Sequence, residues 1–208
     1  MSRRRYVATF QNSSVLGQLT YLASCTLGAQ EACRQVVVGD GAEWIKTEAD
    51  LHFPEATKIL DWPHLWRKIQ AAIRAVGPGQ SQVQRRWRKE QYEFLQSLLW
   101  QGQVEPALVH LQKLRPTAHG EPIEALEEAI TYLANHREWI GNYQQWQDAG
   151  YPAGSGLVER GVAVVINPRM KRRGMRWRRV NATAVVALRV QLLNAQWDAA
   201  SLKKRRAA

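Results

Sequence analysis

Two carboxylates, one aspartate–histidine pair and one dense run of cations are the residues whose types and spacing could do chemistry in this chain. Asp40 follows three consecutive valines in QVVVGDGAEWI, at the end of an apolar run that reads as a strand buried on both faces. The carboxyl ends of such strands are where α/β folds gather functional groups, although an Asp-Gly pair also serves as a plain turn. Glu159 follows a Gly-Ser-Gly turn in GSGLVERGVAVVINPRMKRRGMRW. With Ser155 as helix cap, the reciprocal capping-box partner would stand at Val158, so Glu159 is not that partner. With Gly156 as cap, Glu159 simply favours the helix dipole. A carboxylate on the first turn of a helix, presented by a glycine loop, also supplies a hard oxygen ligand, and Asp40 and Glu159 together suit a magnesium site.

Asp61 and His64 form a D-x-x-H spacing at a strand-to-helix junction. Such a pair orients its imidazole, touches a scissile phosphate, or caps the junction. Further on, Arg169, Lys171, Arg172, Arg173, Arg176, Arg178 and Arg179 put seven positive charges into eleven residues, interleaved with Met170, Met175 and Trp177. The nearest acids in sequence are Glu159 upstream and Asp198 downstream, so the run points to phosphate contact rather than ion pairing. Trp177 either stacks on a base or fills a core. His52, His110, His119 and His136 are scattered and form no zinc spacing.

The elements that must position these groups read as follows. RRYVATF (residues 4–10) has strand character, and residues 15–33 read as helix with a break at Gly28. VVVGDG and EATKILDW are strand candidates, the second leading into a helix over residues 63–76, and this alternation predicts an α/β core with parallel pairing. After Gly77-Pro78-Gly79 the pattern is helical to about residue 148. Val83, Trp87, Phe94, Leu95, Leu98 and Leu99 form one stripe, Leu108, Leu111 and Leu114 a second, and Ile123, Leu126, Ile130 and Leu133 a third. A helix resumes at Leu157, and another covers residues 180–197 with Val185, Leu188, Leu192 and Trp197 on one face.

The totals agree with a basic globular chain. The 208 residues carry 29 Lys+Arg against 18 Asp+Glu, a net +11, and 45% of them are hydrophobic, enough for a core. The balance, with a pI near 10.1, favours polyanionic partners. Cys25 and Cys33, eight apart, match no redox or zinc spacing and read as reduced, packed thiols of a cytosolic protein. The N-terminal MSRRR and the later LASC imitate a lipoprotein leader, but Gln11, Asn12, Ser13, Ser14 and Gln18 break its apolar region. No run reaches the length of a membrane span.

Taken in order, VVVGDGAEWI, FPEATKILDWPHL, the helical stretch, GSGLVERGVAVVINPRMKRRGMRW and AVVALRVQLLNAQWD resemble the C-terminal part of bacterial insertion-sequence transposases of the DDE type, the ISKra-like group. The resemblance spans residues 6–198, and the block over residues 154–177 is its most specific piece. It implies an α-rich α/β fold with a partial RNase H-like core (residues 1–76), a helical insertion (77–150), C-terminal helices with the basic run (151–200) and a basic tail (201–208). It also implies a DNA transposase acting by two-metal-ion phosphoryl transfer with Mg2+ or Mn2+. Asp40 matches the second catalytic Asp, Glu159 the final Glu, and Asp61 with His64 a motif between them. The implied partners are transposon-end DNA and an upstream transposase segment or further copies, in the cytoplasm at the nucleoid and away from membranes. The family's first catalytic Asp has no counterpart, since Glu31 is the sole acid before Asp40, so a truncated or split frame is expected. The competing reading is a non-catalytic DNA-binding remnant or accessory module.

Overall fold

The computed structural model describes residues 4–115, 121–171 and 173–195. In chain order these form α1 (Ser13–Cys25), β1 (Val36–Gly39), α2 (Glu43–His52), β2 (Thr57–Leu60), α3 (Trp62–Val76), α4 (Gln82–Trp100), α5 (Val104–Lys113), α6 (Glu121–His136), α7 (Tyr143–Asp148), α8 (Gly156–Val165), α9 (Asn167–Met170) and α10 (Arg179–Leu193). The chain is thus α/β and rich in helix. None of the described helices is long and apolar enough to cross a membrane. The described residues fall into two compact bodies, one of residues 36–42 and 57–155, the other of residues up to 35, 43–56 and from 156 onward.

The first body holds the sheet. β1 and β2 pair in parallel, Val36 opposite Thr57 through Gly39 opposite Leu60, as expected for two apolar runs separated by a helix. Asp61 N–H extends the ladder by donating to Gly39 O at 2.7 Å. The three valines are half-buried rather than enclosed on both faces. α3 starts where Asp61 caps it and Pro63 preorganises the first turn, and it buries Leu65, Ile69, Ala72 and Ile73 at helical spacing. Against this face packs α6 with Leu126, Ala129 and Leu133. Ser81 and Gln84 form the capping box that opens α4, which buries Leu95 and Leu99. Val83 and Phe94, counted in the same stripe, are exposed instead. Leu108 and Leu111 of α5 are buried, and Leu114 is half-buried.

In the second body α1 packs on α2, and α8 on α9 and α10. Asn12 caps α1 by accepting from Val15 N–H at 3.0 Å, and Gly28 at φ +84° marks the break after it. Tyr21 of α1 stacks on His52 of α2, ring centroids 5.5 Å apart. Three expectations need correction here. Residues 4–10 form no strand: Tyr6 donates to Asn194 Oδ1 at 2.8 Å while Asn194 Nδ2 donates to Tyr6 O at 3.0 Å, so a side-chain amide takes the place of a neighbouring strand. On α10 the buried residues are Ala182 and Val186, whereas Leu188 and Leu192 are exposed and Trp197 lies outside the described residues. Cys33 is exposed rather than packed.

Candidate active site and nucleic-acid interface

In the first body, Asp40 stands immediately after β1 with its side chain exposed. Its Oδ1 accepts from Ala42 N–H at 3.0 Å, the bond that an Asp-Gly turn makes. Two residues of α6 fix the backbone of this turn. Tyr132 Oη donates to Asp40 O at 2.7 Å, and Nε2 of buried His136 lies 2.6 Å from Gly41 O. Burial, followed by the charges of Asp40 and Asp61, raises the Tyr132 hydroxyl far above its ordinary range, so it acts as a neutral donor.

Gly41 sits at φ +87°, and a Cβ there would meet the His136 ring at 2.3 Å. Gly41→Ala is therefore expected to lower unfolding stability by about 2 kcal/mol or more, the left-handed conformation alone costing about 1–2 kcal/mol. Urea denaturation of parent and variant measures this. A difference below about 0.5 kcal/mol would show that the turn is not held as described.

Asp61 ends β2 and caps α3 while being only 1% exposed. Its carboxylate accepts from Ser155 N–H at 2.5 Å, from His64 N–H at 3.2 Å and from His64 Nδ1. Burial on its own would raise this carboxyl, but the hydrogen bonds from His64 and Ser155 outweigh it and hold Asp61 below its usual range. An ionised carboxylate only accepts, so the proton of a neutral His64 ring belongs on Nδ1 and Nε2 is the basic nitrogen. His64 is half-buried, with side-chain exposure of 34%, so the aspartate–histidine spacing yields an oriented imidazole and a helix cap together.

No sequence signal marks Ser155 as a partner of Asp61, 94 residues away. Gly154 beside it permits the approach, since a Cβ there would lie 3.0 Å from Asp61 Oδ1. Trp62 N–H donates to Ala153 O at 3.0 Å and pins the same loop. Trp62 and Trp100 meet edge to face, ring centroids 4.8 Å apart, and both line a cleft of about 610 Å3 with Gln96 and Gln147 on its walls. Tyr143, fully buried, donates to Leu60 O at 2.7 Å and closes the core beneath the aromatic cluster.

In the second body, Glu159 is exposed on the first turn of α8. α8 starts at Gly156, so Glu159 is the fourth helical residue and lies outside the capping-box position. The chain continues through α9, which carries Arg169, into an exposed segment with Lys171, Arg173, Arg176, Trp177 and Arg178. Arg172 lies outside the described residues. Arg179 opens α10 and donates to Phe10 O at 2.8 Å. None of the described cations of this segment forms an ion pair with a described residue. Trp177 is 38% exposed, which leaves part of its ring for stacking.

The first body thus brings Asp40, Asp61 and His64 together with Tyr132 and His136, while Glu159 and the basic segment belong to the second. Asp40 and Glu159 each carry exposed carboxylate oxygens, the donor class that hard divalent ions take, and neither forms an ion pair with a described residue. No group of three or more His, Cys, Asp or Glu suited to a metal occurs among the described residues. Comparison of this chain with protein-family models, with curated proteins and with solved structures gives no match.

Proposed function

We propose that this protein acts on DNA as a transposase of the DDE type, or as the C-terminal segment of one. The observation that carries the reading is the set of exposed cations Arg169, Lys171, Arg173, Arg176, Arg178 and Arg179, none of which forms an ion pair with a described residue, in the segment that follows the helix bearing Glu159. Unpaired arginines at a surface gain most by replacing the counterions of a phosphate backbone, and their planar forks fit phosphate oxygens. The order of the motifs around Asp40, Asp61 and Glu159 supports the reaction class. By the resemblance, Asp40 and Glu159 would be carboxylates that hold a divalent ion, Mg2+ or Mn2+, and such an ion would supply charge neutralisation at the scissile phosphate and activation of the attacking oxygen. Tyr132 and His136 keep the Asp40 turn in place, and His64, oriented by Asp61 in the same body, offers Nε2 as a proton acceptor.

A non-catalytic DNA-binding module is the second reading, favoured by the placement of the cation segment in a different body from Asp40. One experiment separates the two. Duplex carrying the ends of the parent element is offered in Mg2+ or Mn2+ to the full chain, complemented with an upstream transposase segment that supplies the first Asp, and both binding and nicking are followed. Replacing Arg173, Arg176 and Arg178 together by Gln should flatten the dependence of log K on log salt by about 3, at about one unit per lost phosphate contact. Nicking that disappears in Asp40→Ala and in Glu159→Ala supports the transposase. Nicking that survives both variants sinks it, and binding without nicking in the parent assigns the chain to the second reading.

A further inference from the structure

The first body contains a second cationic site that the basic segment does not account for. α3 ends and α4 begins around a cleft of about 510 Å3 lined by Arg74, Arg88, Gln70, Gln80 and Tyr92, with the turn at Gly79 on its rim. None of the lining residues is acidic. The acids of neighbouring α4 turns are already engaged, Glu90 with Arg86 and Glu93 with Lys89.

The two guanidinium groups differ in a useful way. Arg88 is half-buried, and its Nη1 donates to Gly77 O at 2.5 Å and to Gly79 O at 2.9 Å, so its plane is fixed before any ligand arrives. Arg74 is exposed and makes no hydrogen bond or ion pair with a described residue. Gln80 is held by Arg85, whose Nη2 donates to its Oε1 at 3.2 Å, which leaves the Gln80 amide nitrogen as a further donor on the cleft wall. Tyr92 is held in turn by its bond to Gln70 O. One fixed fork, one free fork and an amide donor, with no carboxylate among them, make a site for a tetrahedral oxyanion.

We propose that this cleft binds a phosphate group, with Arg88 as the preorganised fork and Arg74 as the one that closes on the ligand. The phosphate belongs either to a nucleic-acid backbone or to a free phosphate or mononucleotide, and the chemistry of recognition is the same. The site lies in a different body from residues 169–179 and does not rest on the transposase reading. A cation in the last turn of α3 also suits the helix dipole. That role alone would alter the melting temperature slightly and leave phosphate binding untouched.

The test uses the full chain with Arg74→Gln and Arg74→Lys, because Arg74 holds no other part of the structure. Calorimetric titration with inorganic phosphate should show binding in the parent that is lost in Arg74→Gln and weakened in Arg74→Lys, where charge remains but the fork is gone. Salt-dependent binding of a duplex oligonucleotide identifies the source. A slope lower by about one in Arg74→Gln marks a backbone phosphate, and this loss should persist when Arg173, Arg176 and Arg178 are also replaced. Lost phosphate binding with an unchanged duplex slope marks a free phosphate or mononucleotide. Phosphate heats and duplex slope that are both the same in parent and Arg74→Gln overturn the proposal.

Discussion

Asp61→Ala is expected to lower the unfolding free energy at pH 7 by about 3 kcal/mol, because it strands buried N–H groups as well as removing a cap. The carboxylate is 1% exposed and receives the N–H of Ser155, the N–H of His64 and the His64 ring. Its loss leaves the first turn of α3 and the loop before α8 without their common acceptor. The pH dependence follows from the direction in which the carboxyl is shifted. Asp61 is held below its ordinary value of 3.8 in the folded chain, so its contribution is fully present above that value. It is lost as the pH falls through the lower folded value. Asp61→Asn should therefore remove the part of the acid sensitivity that appears below about pH 4, while already being less stable than the parent at neutrality. Denaturant unfolding of the three proteins between pH 7 and pH 3 decides this. An Asp61→Asn curve that runs parallel to the parent's throughout, or an Asp61→Ala loss below about 1 kcal/mol, would refute the account.

Leu133→Ala should be comparably damaging, at about 2–5 kcal/mol, for a different reason. Leu133 is fully buried on the face of α6 that meets α3, where Leu65, Ile69, Ala72 and Ile73 lie at 0% exposure. Truncation removes apolar area and leaves a cavity between two helices whose ends are separately held, α3 by Asp61 and α6 by the contacts of Tyr132 and His136. Such a region closes poorly around a void. Val83→Ala is the control: at 78% exposure it should change stability by no more than about 0.5 kcal/mol, although the two residues belong to equally regular apolar stripes. Equal losses in the two variants would mean that the described core is misplaced.

Much of the sheet-bearing body was legible in the sequence because its signals are local. Three valines before Asp40, an Asp-x-Pro junction at Asp61 and periodic leucines fix strand, helix start and helix face without reference to distant residues. The stripe of α4 was legible at Leu95 and Leu99 but not at Val83, which lies beyond the reach of the core along the helix, nor at Phe94, whose place next to Leu95 in sequence turns it toward a different face. RRYVATF misled because β-branched and aromatic residues suit any extended, half-buried segment, and nothing near Tyr6 announces that Asn194 will serve as its partner. On α10 the buried Ala182 carries too little apolar character to stand out among valines and leucines that face outward. In the candidate site, Asp40 and His64 were found by their positions at strand and helix ends. Ser155, Tyr132 and His136 were not, because each acts through contacts 90 or more residues away along the chain.

The amide clip between Tyr6 and Asn194 has a consequence for biosynthesis. A body assembled from segments far apart along the chain cannot close until the later of them has left the ribosome. Residues 57–155 emerge as one continuous stretch and can condense on β1 as soon as they leave the exit tunnel. Tyr6 emerges before residues 57–155 and yet must wait for Asn194, which follows them. A segment translated before the sheet-bearing body is thus locked after it, which makes it the natural customer of a nascent-chain chaperone.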